Sequence, residues 1–275
     1  MTIFPAFLDH VEVYKADVPF LLNDAKAKGV LWQAAPGRFL LDTPNVGRYL
    51  VEEGRRVKFA LAAGASFNAV KRFARLSPMA ALLYQRGIPA LHAAGAANAQ
   101  GAILLAGNSG AGKSVLLTML LQRKWAMLSD DLSVVSIADG CKVVQPTFPD
   151  IALWPEDLKK LGYDANGLTV CDANRRFLSL PDQFAIAPQP LRAIFWLNVH
   201  NREEISLENL SGAARFQTAG ALLYNSHIAD ALIDRVDYMR NVAAIFQNIP
   251  IVRLNRPRNQ WRAEEIANII ENELK

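Results

Sequence analysis

The sequence predicts an α/β protein in which a small, β-rich α+β region precedes a larger domain with a mixed sheet flanked by helices. In the first 75 residues or so, short segments of alternating polar and apolar residues lie between turn-forming residues, which is typical of a β-meander. From about residue 88 onward, apolar runs suited to buried strands alternate with segments of helical periodicity. An apolar run, a glycine-rich loop and a helix follow one another between residues 102 and 123.

Two domains are expected, spanning residues 1–76 and 77–275. In the first, the predicted strands cover residues 11–14, 38–41, 48–51 and 57–61. A helix over residues 66–75 follows, with Ser66 as its N-cap. In the second, the main predicted strands cover residues 90–97, 102–106, 125–128, 134–137, 142–145, 195–199 and 251–254. Its predicted helices cover residues 78–86, 115–123, 211–224, 229–247 and 263–274.

The glycine-rich loop carries the clearest functional signal. It reads Gly107, Asn108, Ser109, Gly110, Ala111, Gly112, Lys113 and Ser114. Glycines let the backbone curl so that successive N–H groups point at phosphate oxygens, and the following helix presents its positive N-terminus to the same place. In such a loop the lysine reaches the outer phosphates, and the serine hydroxyl is placed on a magnesium ion. The motif predicts a phosphate-binding loop (P-loop) that uses ATP and Mg²⁺.

Two adjacent carboxylates, Asp130 and Asp131, follow the predicted strand at residues 125–128. In P-loop enzymes an acidic residue at this place can hold magnesium or its waters. Neighbouring side chains of an extended strand point to opposite faces, so the two carboxylates need not share one role. The alternative is a turn-forming pair at the end of a strand.

Composition excludes several classes of protein. The hydrophobic fraction of 51% supports a sizeable core, yet no apolar run approaches the ~20 residues of a membrane span. The net charge of +4 comes from scattered residues, unlike the concentrated basic patch of a nucleic-acid binder. No signal peptide is recognised, so a cytoplasmic location is expected. Cys141 and Cys171 show no metal or redox spacing.

Together these residues resemble the catalytic domain of HPr kinase/phosphorylase, a bacterial enzyme that phosphorylates a serine of a small carrier protein. The resemblance is closest over residues 91–135. His92 precedes Gly107 by 15 residues and Asp130 follows Lys113 by 17 residues, as in that family. The combined spacing is much more specific than the loop motif alone, and it implies a P-loop kinase domain of the HPr kinase type.

The resemblance also implies roles for the site residues. Asp130 would deprotonate the acceptor hydroxyl, and Asp131 would be a metal partner together with Ser114. Lys113 and His92 would lie near the transferred phosphate. Members of the family assemble as oligomers, which makes a homo-oligomer an expectation for this chain.

A closer likeness is to HPr-kinase-related serine kinases from gene clusters for ribosomally made peptides, including lasso peptides. This group shares features over residues 84–87, 91–93, 153–155, 175–176, 188–191 and 249–258. Val115 stands where HPr kinases carry a glutamate, and the N-terminal region does not resemble theirs. These departures argue against a true HPr kinase, and the likeness implies a serine of a precursor peptide as the acceptor.

Two further arginines, Arg175 and Arg176, are candidates for the substrate side of the site. Cationic residues commonly clamp a transferring phosphoryl group, although salt-bridged surface explains the pair equally well. Arg240, Arg253 and Arg256 are weaker candidates of the same kind.

Three functions follow, in order of preference. The first is an ATP- and magnesium-dependent kinase acting on a peptide or protein serine. The second is a kinase for a small-molecule hydroxyl, such as that of a sugar or a glycolipid head group. The third is a nucleotide-binding sensor without catalysis, which the intact Lys113 and Asp130 make less favoured.

Overall fold

The computed structural model describes residues 3–171, 174–258 and 262–274. The chain forms two compact units, one made of Met1–Ala90 with Leu223–Ala244, the other of Leu91–Leu222 with Ile245–Lys275. The predicted domain boundary after residue 76 stays a prediction. The α/β class is confirmed.

The regular elements fall in chain order as follows. The strands are β1 (Glu12–Lys15), β2 (Ala27–Lys28), β3 (Trp32–Ala35), β4 (Arg38–Thr43), β5 (Gly47–Glu52), β6 (Arg56–Leu61), β7 (Ala90–Leu91), β8 (Ala93–Asn98), β9 (Gly101–Gly107), β10 (Ala126–Ser129), β11 (Ser133–Ala138), β12 (Cys141–Gln145), β13 (Asp150–Leu153), β14 (Arg176–Ser179), β15 (Gln189–His200), β16 (Ser206–Asn209) and β17 (Ile251–Pro257). The helices are α1 (Phe67–Ala74), α2 (Ser77–Gln85), α3 (Lys113–Gln122), α4 (Pro155–Lys160), α5 (Gly212–Ala221), α6 (Ser226–Leu232), α7 (Arg235–Phe246) and α8 (Ala263–Glu273).

The first unit is organised on a sheet with the strand order β1-β6-β5-β4-β3-β2. Strands β4 to β6 form the predicted antiparallel meander, and β3, which was not predicted, extends it. The predicted strand at residues 11–14 corresponds to β1, which pairs with β6 in parallel and so is not part of the meander. Leu40 and Leu50 lie opposite each other and pack with Val18 and Leu22. Tyr49 points to the other face and donates its hydroxyl hydrogen bond to the Val70 carbonyl at 2.8 Å. Both faces of this sheet are therefore covered.

Two predicted elements are wrong in extent. The single helix over residues 229–247 is two helices, because Ile233 is extended and the Asp234 carboxylate accepts hydrogen bonds from the N–H groups of Val236 and Asp237. Asp234 thereby caps α7. The single strand over residues 90–97 is interrupted at His92, which lies between β7 and β8.

The second unit has a mixed sheet, as predicted. β15 pairs in parallel with β9 and with β17, whereas β8, β12 and β16 are joined to their neighbours by antiparallel ladders. β9 is buried along its whole length, which agrees with its continuous apolar sequence. Leu117 and Leu120 of α3 pack on Ile103 and Leu105 of β9 in the main core.

The direction of the strands positions the candidate site. β8 is antiparallel to both β9 and β10, so β9 and β10 run in the same direction. Their carboxyl ends therefore meet at one edge of the sheet, where ligand sites of α/β folds occur. Gly107 ends β9 and Ser129 ends β10, so the glycine-rich loop and the two carboxylates emerge at the same edge of the sheet, on either side of β8.

Candidate functional site

The glycine-rich loop joins β9 to α3 with a backbone that only glycine accommodates easily. Gly107, Gly110 and Gly112 have φ values of +140°, +79° and +96°. A Cβ at Gly107 would lie 2.6 Å from the Leu197 carbonyl oxygen, whereas one at Gly110 would meet open space. The loop is thus both curled and tightly packed against β15 where it leaves β9.

Lys113, the first residue of α3, folds back over this loop. Its ammonium group donates hydrogen bonds to the carbonyl oxygens of Gly107 at 2.9 Å and Asn108 at 3.4 Å. The side chain is buried, and this burial lowers the pKa of Lys113. The negative charges of Asp131 and Asp130 raise the pKa but do not fully offset the effect of burial. A cation held in this way is only partly neutralised and is suited to an anionic ligand.

Asp130 lies beside the first turn of α3. One carboxylate oxygen accepts the Ser114 hydroxyl at 2.8 Å, and the other accepts the Ala152 N–H at 3.1 Å. Burial, with a further contribution from Asp131, raises the pKa of Asp130 to about 6. These contacts fix both oxygens of the carboxyl group, and they partly offset the effect of burial on its pKa.

Asp131 has a different environment. It adopts φ = +66°, a left-handed conformation uncommon outside glycine, and its carboxylate lies 3.2 Å from His92 Nε2. Burial raises the pKa of Asp131, but the hydrogen bond and the charge of His92, together with nearby cations, lower it below its usual range. These cations are Lys113 and Arg175. Asp131 is therefore the more fully ionised member of the pair at neutral pH.

Two serines that sequence reasoning did not select support the end of β10. Ser129 and Ser133 share a buried hydrogen bond of 2.6 Å between their hydroxyl oxygens, and Ser133 donates to the Ala93 carbonyl at 2.8 Å. This network ties the segment that carries both carboxylates to β8. A small hydroxyl residue next to a strand end gives too common a sequence signal to be picked out.

The structure separates the two candidate arginines. Arg175 is close enough for its charge to influence both Lys113 and Asp131. Arg176 opens β14, and its guanidinium donates to the carbonyl and the side chain of Asn174. Only Arg175 is thus associated with the site.

Two other residues were undervalued by the sequence. Arg256, at the end of β17, donates from Nε to the Ala111 carbonyl in the loop at 2.9 Å. Trp154 directly follows β13, the strand that contributes the Ala152 N–H. Trp154 is 40% exposed. Neither position could have been found by spacing, since both depend on long-range strand packing.

No protein-family model and no curated protein matches the chain. Among solved structures, the chain is similar to the Hpr(Ser) kinase/phosphatase from Coxiella burnetii, with 11% sequence identity and a TM-score of 0.35. The similarity covers 67% of this chain and 95% of that one. None of the helices in the described part of the chain is long and apolar enough to cross a membrane.

Proposed function

We propose that the protein is an ATP- and magnesium-dependent kinase that transfers a phosphoryl group to a hydroxyl. The observation that carries the proposal is the arrangement of the two adjacent carboxylates beside the glycine-rich loop. Asp130 accepts a hydrogen bond from the Ser114 hydroxyl at the start of α3, and Asp131, the next residue, contacts His92. Phosphoryl transfer needs a phosphate cradle, a metal position and a group that accepts the hydroxyl proton. All three are supported at this edge of the sheet.

The loop and Lys113 would bind the phosphates of ATP. Backbone N–H groups of residues 110–114 and the N-terminus of α3 supply partial positive charge, and Lys113 supplies a full one. Its present partners are neutral loop carbonyls, and phosphate oxygens would be much stronger acceptors.

The oxygens of Ser114 and Asp130 suit magnesium. Magnesium is bound in proteins by oxygen ligands, typically one or two carboxylates together with hydroxyl, water and phosphate oxygens. The hydrogen bond of 2.8 Å between Ser114 Oγ and Asp130 Oδ1 brings a hydroxyl and a carboxylate oxygen together beside the loop, where both would hold the ion. When bound, magnesium would neutralise charge on the phosphates and hold them for in-line attack.

These contacts favour exchanging the roles that the sequence suggested for the two carboxylates. The sequence-based hypothesis makes Asp130 the base and Asp131 the metal partner. We propose instead that Asp130 is the metal partner, because its oxygen already adjoins Ser114, and that Asp131 is the base, because His92 orients it and Ser114 does not engage it.

In the proposed reaction, the acceptor hydroxyl loses its proton to the Asp131 carboxylate. The hydroxyl oxygen forms a bond to the γ-phosphorus, and the bond from that phosphorus to the β,γ-bridging oxygen breaks. The electron pair of that bond leaves with ADP. Arg175 and Lys113 would offset the negative charge on the transferring group.

For the acceptor, we propose a serine of a ribosomally synthesised, lasso-type precursor peptide. The sequence likeness described above supports this choice, together with the exposed Trp154 beside β13, which would contact an apolar peptide side chain. A cytoplasmic location and a homo-oligomer stay predictions of the same likeness.

The test is mass spectrometry of candidate precursor peptides after incubation with the protein, ATP and magnesium. A mass increase of one or more phosphate groups is expected, and Lys113→Ala should reduce it by at least ~100-fold because the phosphate charge is no longer neutralised. Lys159→Ala, which removes an exposed lysine from α4, is the matched control and should keep full activity. Phosphorylation of sugars or glycolipids, with none of the peptides, would establish the alternative acceptor. ATP binding without any transfer would contradict the kinase.

A further inference from the structure

A pocket of about 380 Å³ opens beside the glycine-rich loop. One wall is the loop itself at Gly110 and Gly112, and its floor is apolar, with Val115 of α3 and Ile266 of α8. Its rim carries one carboxylate, that of Asp157 in α4, and four cationic side chains, those of Lys160, Arg256, Arg258 and Arg262. This volume falls in the range of small-molecule and cofactor sites, and an apolar floor with a few polar groups is their usual lining.

We propose that this pocket holds the base and ribose of the nucleotide whose terminal phosphates the loop binds, an inference that rests on the proposed function. The pocket adjoins the proposed phosphate site, because Gly110, Ala111 and Gly112 of the loop line it together with Val115 of α3. The nucleoside of a nucleotide whose phosphates lie at the N-terminus of α3 would therefore be within reach of the pocket.

Arg256 is held in place to meet a planar ring. Its Nε and Nη1 donate to the carbonyl oxygens of Ala111 and Pro257, both at 2.9 Å. Its Nη2 lies 3.3 Å from the point where a Cβ of Gly112 would be, so an alanine there would crowd the guanidinium. A guanidinium fixed in this way stacks on aromatic faces, and a nucleotide base provides one.

Asp157 indicates which of two ligands the pocket binds, a nucleoside or a second group of phosphates. A carboxylate repels a purely anionic ligand but accepts hydrogen bonds from ribose hydroxyls and from amino groups of a base. The cationic side chains of the rim, those of Lys160, Arg256, Arg258 and Arg262, would alone suit either ligand. With Asp157 in the lining, the geometry points to the nucleoside.

The experiment compares two ligands on the full-length protein by calorimetry in the presence of magnesium: ATP and inorganic tripolyphosphate. The two share a chain of three phosphates, and only ATP carries a nucleoside. Ala263→Phe, which fills the pocket from the first residue of α8, is compared with Glu264→Phe on the exposed neighbouring position. Asp157→Asn, which changes no volume, is compared with Glu156→Gln.

We expect ATP to bind the unmodified protein at least ~10-fold more tightly than tripolyphosphate. Ala263→Phe should remove most of that advantage while leaving tripolyphosphate affinity within about twofold. Asp157→Asn should weaken ATP and strengthen tripolyphosphate, and the two control variants should match the unmodified protein.

Two results would overturn the inference. If both pocket variants keep the unmodified ratio of ATP to tripolyphosphate affinity, the nucleoside lies elsewhere, although the loop still binds phosphates and the kinase proposal stands. If the unmodified protein binds neither ligand, the proposed function fails and this inference fails with it.

Discussion

At the residue scale, the two adjacent carboxyl groups have opposite electrostatic surroundings. Asp130 is enclosed and has its pKa raised, whereas Asp131 has its pKa lowered by His92. Two carboxyl groups whose pKa values are pushed apart by their environments are typical of sites in which each has a separate chemical task. The contrast gives predictions of opposite sign for the two asparagine variants.

Asp130→Asn should stabilise the protein above pH 6. The pKa of Asp130 is about 6 in the folded chain and about 3.9 when unfolded, so the unfolded state loses its proton first. Ionisation therefore lowers the free energy of unfolding as pH rises from about 4 to 6, and the loss persists above that range. An uncharged asparagine avoids this cost, and we expect a gain of roughly 1–3 kcal/mol at pH 8 that largely disappears at pH 4. Urea unfolding at the two pH values measures it.

Asp131→Asn is the matched comparison. Its lowered pKa means that the ionised form stabilises the fold above the unfolded pKa, and this stabilisation is lost as pH falls through the folded pKa. The variant should therefore be less stable than the unmodified protein at neutral pH, although asparagine tolerates the left-handed backbone. In activity, it should keep magnesium-dependent ATP binding and lose transfer, whereas Asp130→Asn should lose the magnesium dependence. The reverse pattern would restore the sequence-based assignment of base and metal partner.

At the scale of elements, the connection from β9 to α3 depends on glycine for two separable reasons. At Gly107 both the positive φ and the Leu197 carbonyl oppose a side chain, whereas Gly110 has only the positive φ. Gly110→Ala should cost roughly 1–2 kcal/mol of stability, the usual strain of a left-handed alanine. Gly107→Ala should cost more, about 3 kcal/mol or above, because the loop must also move away from β15. Equal losses in urea unfolding would show that the packing against Leu197 is unimportant.

The sequence predicted local features of this site well and long-range ones poorly. The strand, glycine loop and helix at residues 102–122 were found because each has a strong local pattern, and Ser66 was found as an N-cap for the same reason. The β2 strand was missed because it has only two residues, and β3 because its sequence does not alternate between polar and apolar residues. The break at His92 was missed because apolar residues continue on both sides. Arg256 and Ala152 reach the site only through β17 and β13, and no spacing in the chain reports such pairings.

At the scale of the whole molecule, neither compact unit is continuous in sequence. The first unit includes Leu223–Ala244, which follows more than half of the second unit in the chain. Tyr238 from this segment packs edge-on against Tyr84 of α2, with ring centroids 5.9 Å apart. Both tyrosines are buried, so this contact joins residues from distant parts of the chain in one core.

Tyr238→Ala should therefore weaken the first unit although the substitution lies far along the chain from its sheet. Loss of a buried aromatic ring costs about 3 kcal/mol, and Tyr238→Phe, which keeps the ring, should cost less than about 1 kcal/mol. Amide hydrogen exchange shows which elements lose stability. Amides of β4, β5 and α2 should exchange faster in Tyr238→Ala, while those of β9 and β15 should keep their protection. Faster exchange throughout both sheets would instead mean that the two units unfold together, and the segment at residues 223–244 would then stabilise the chain as a whole rather than its first unit.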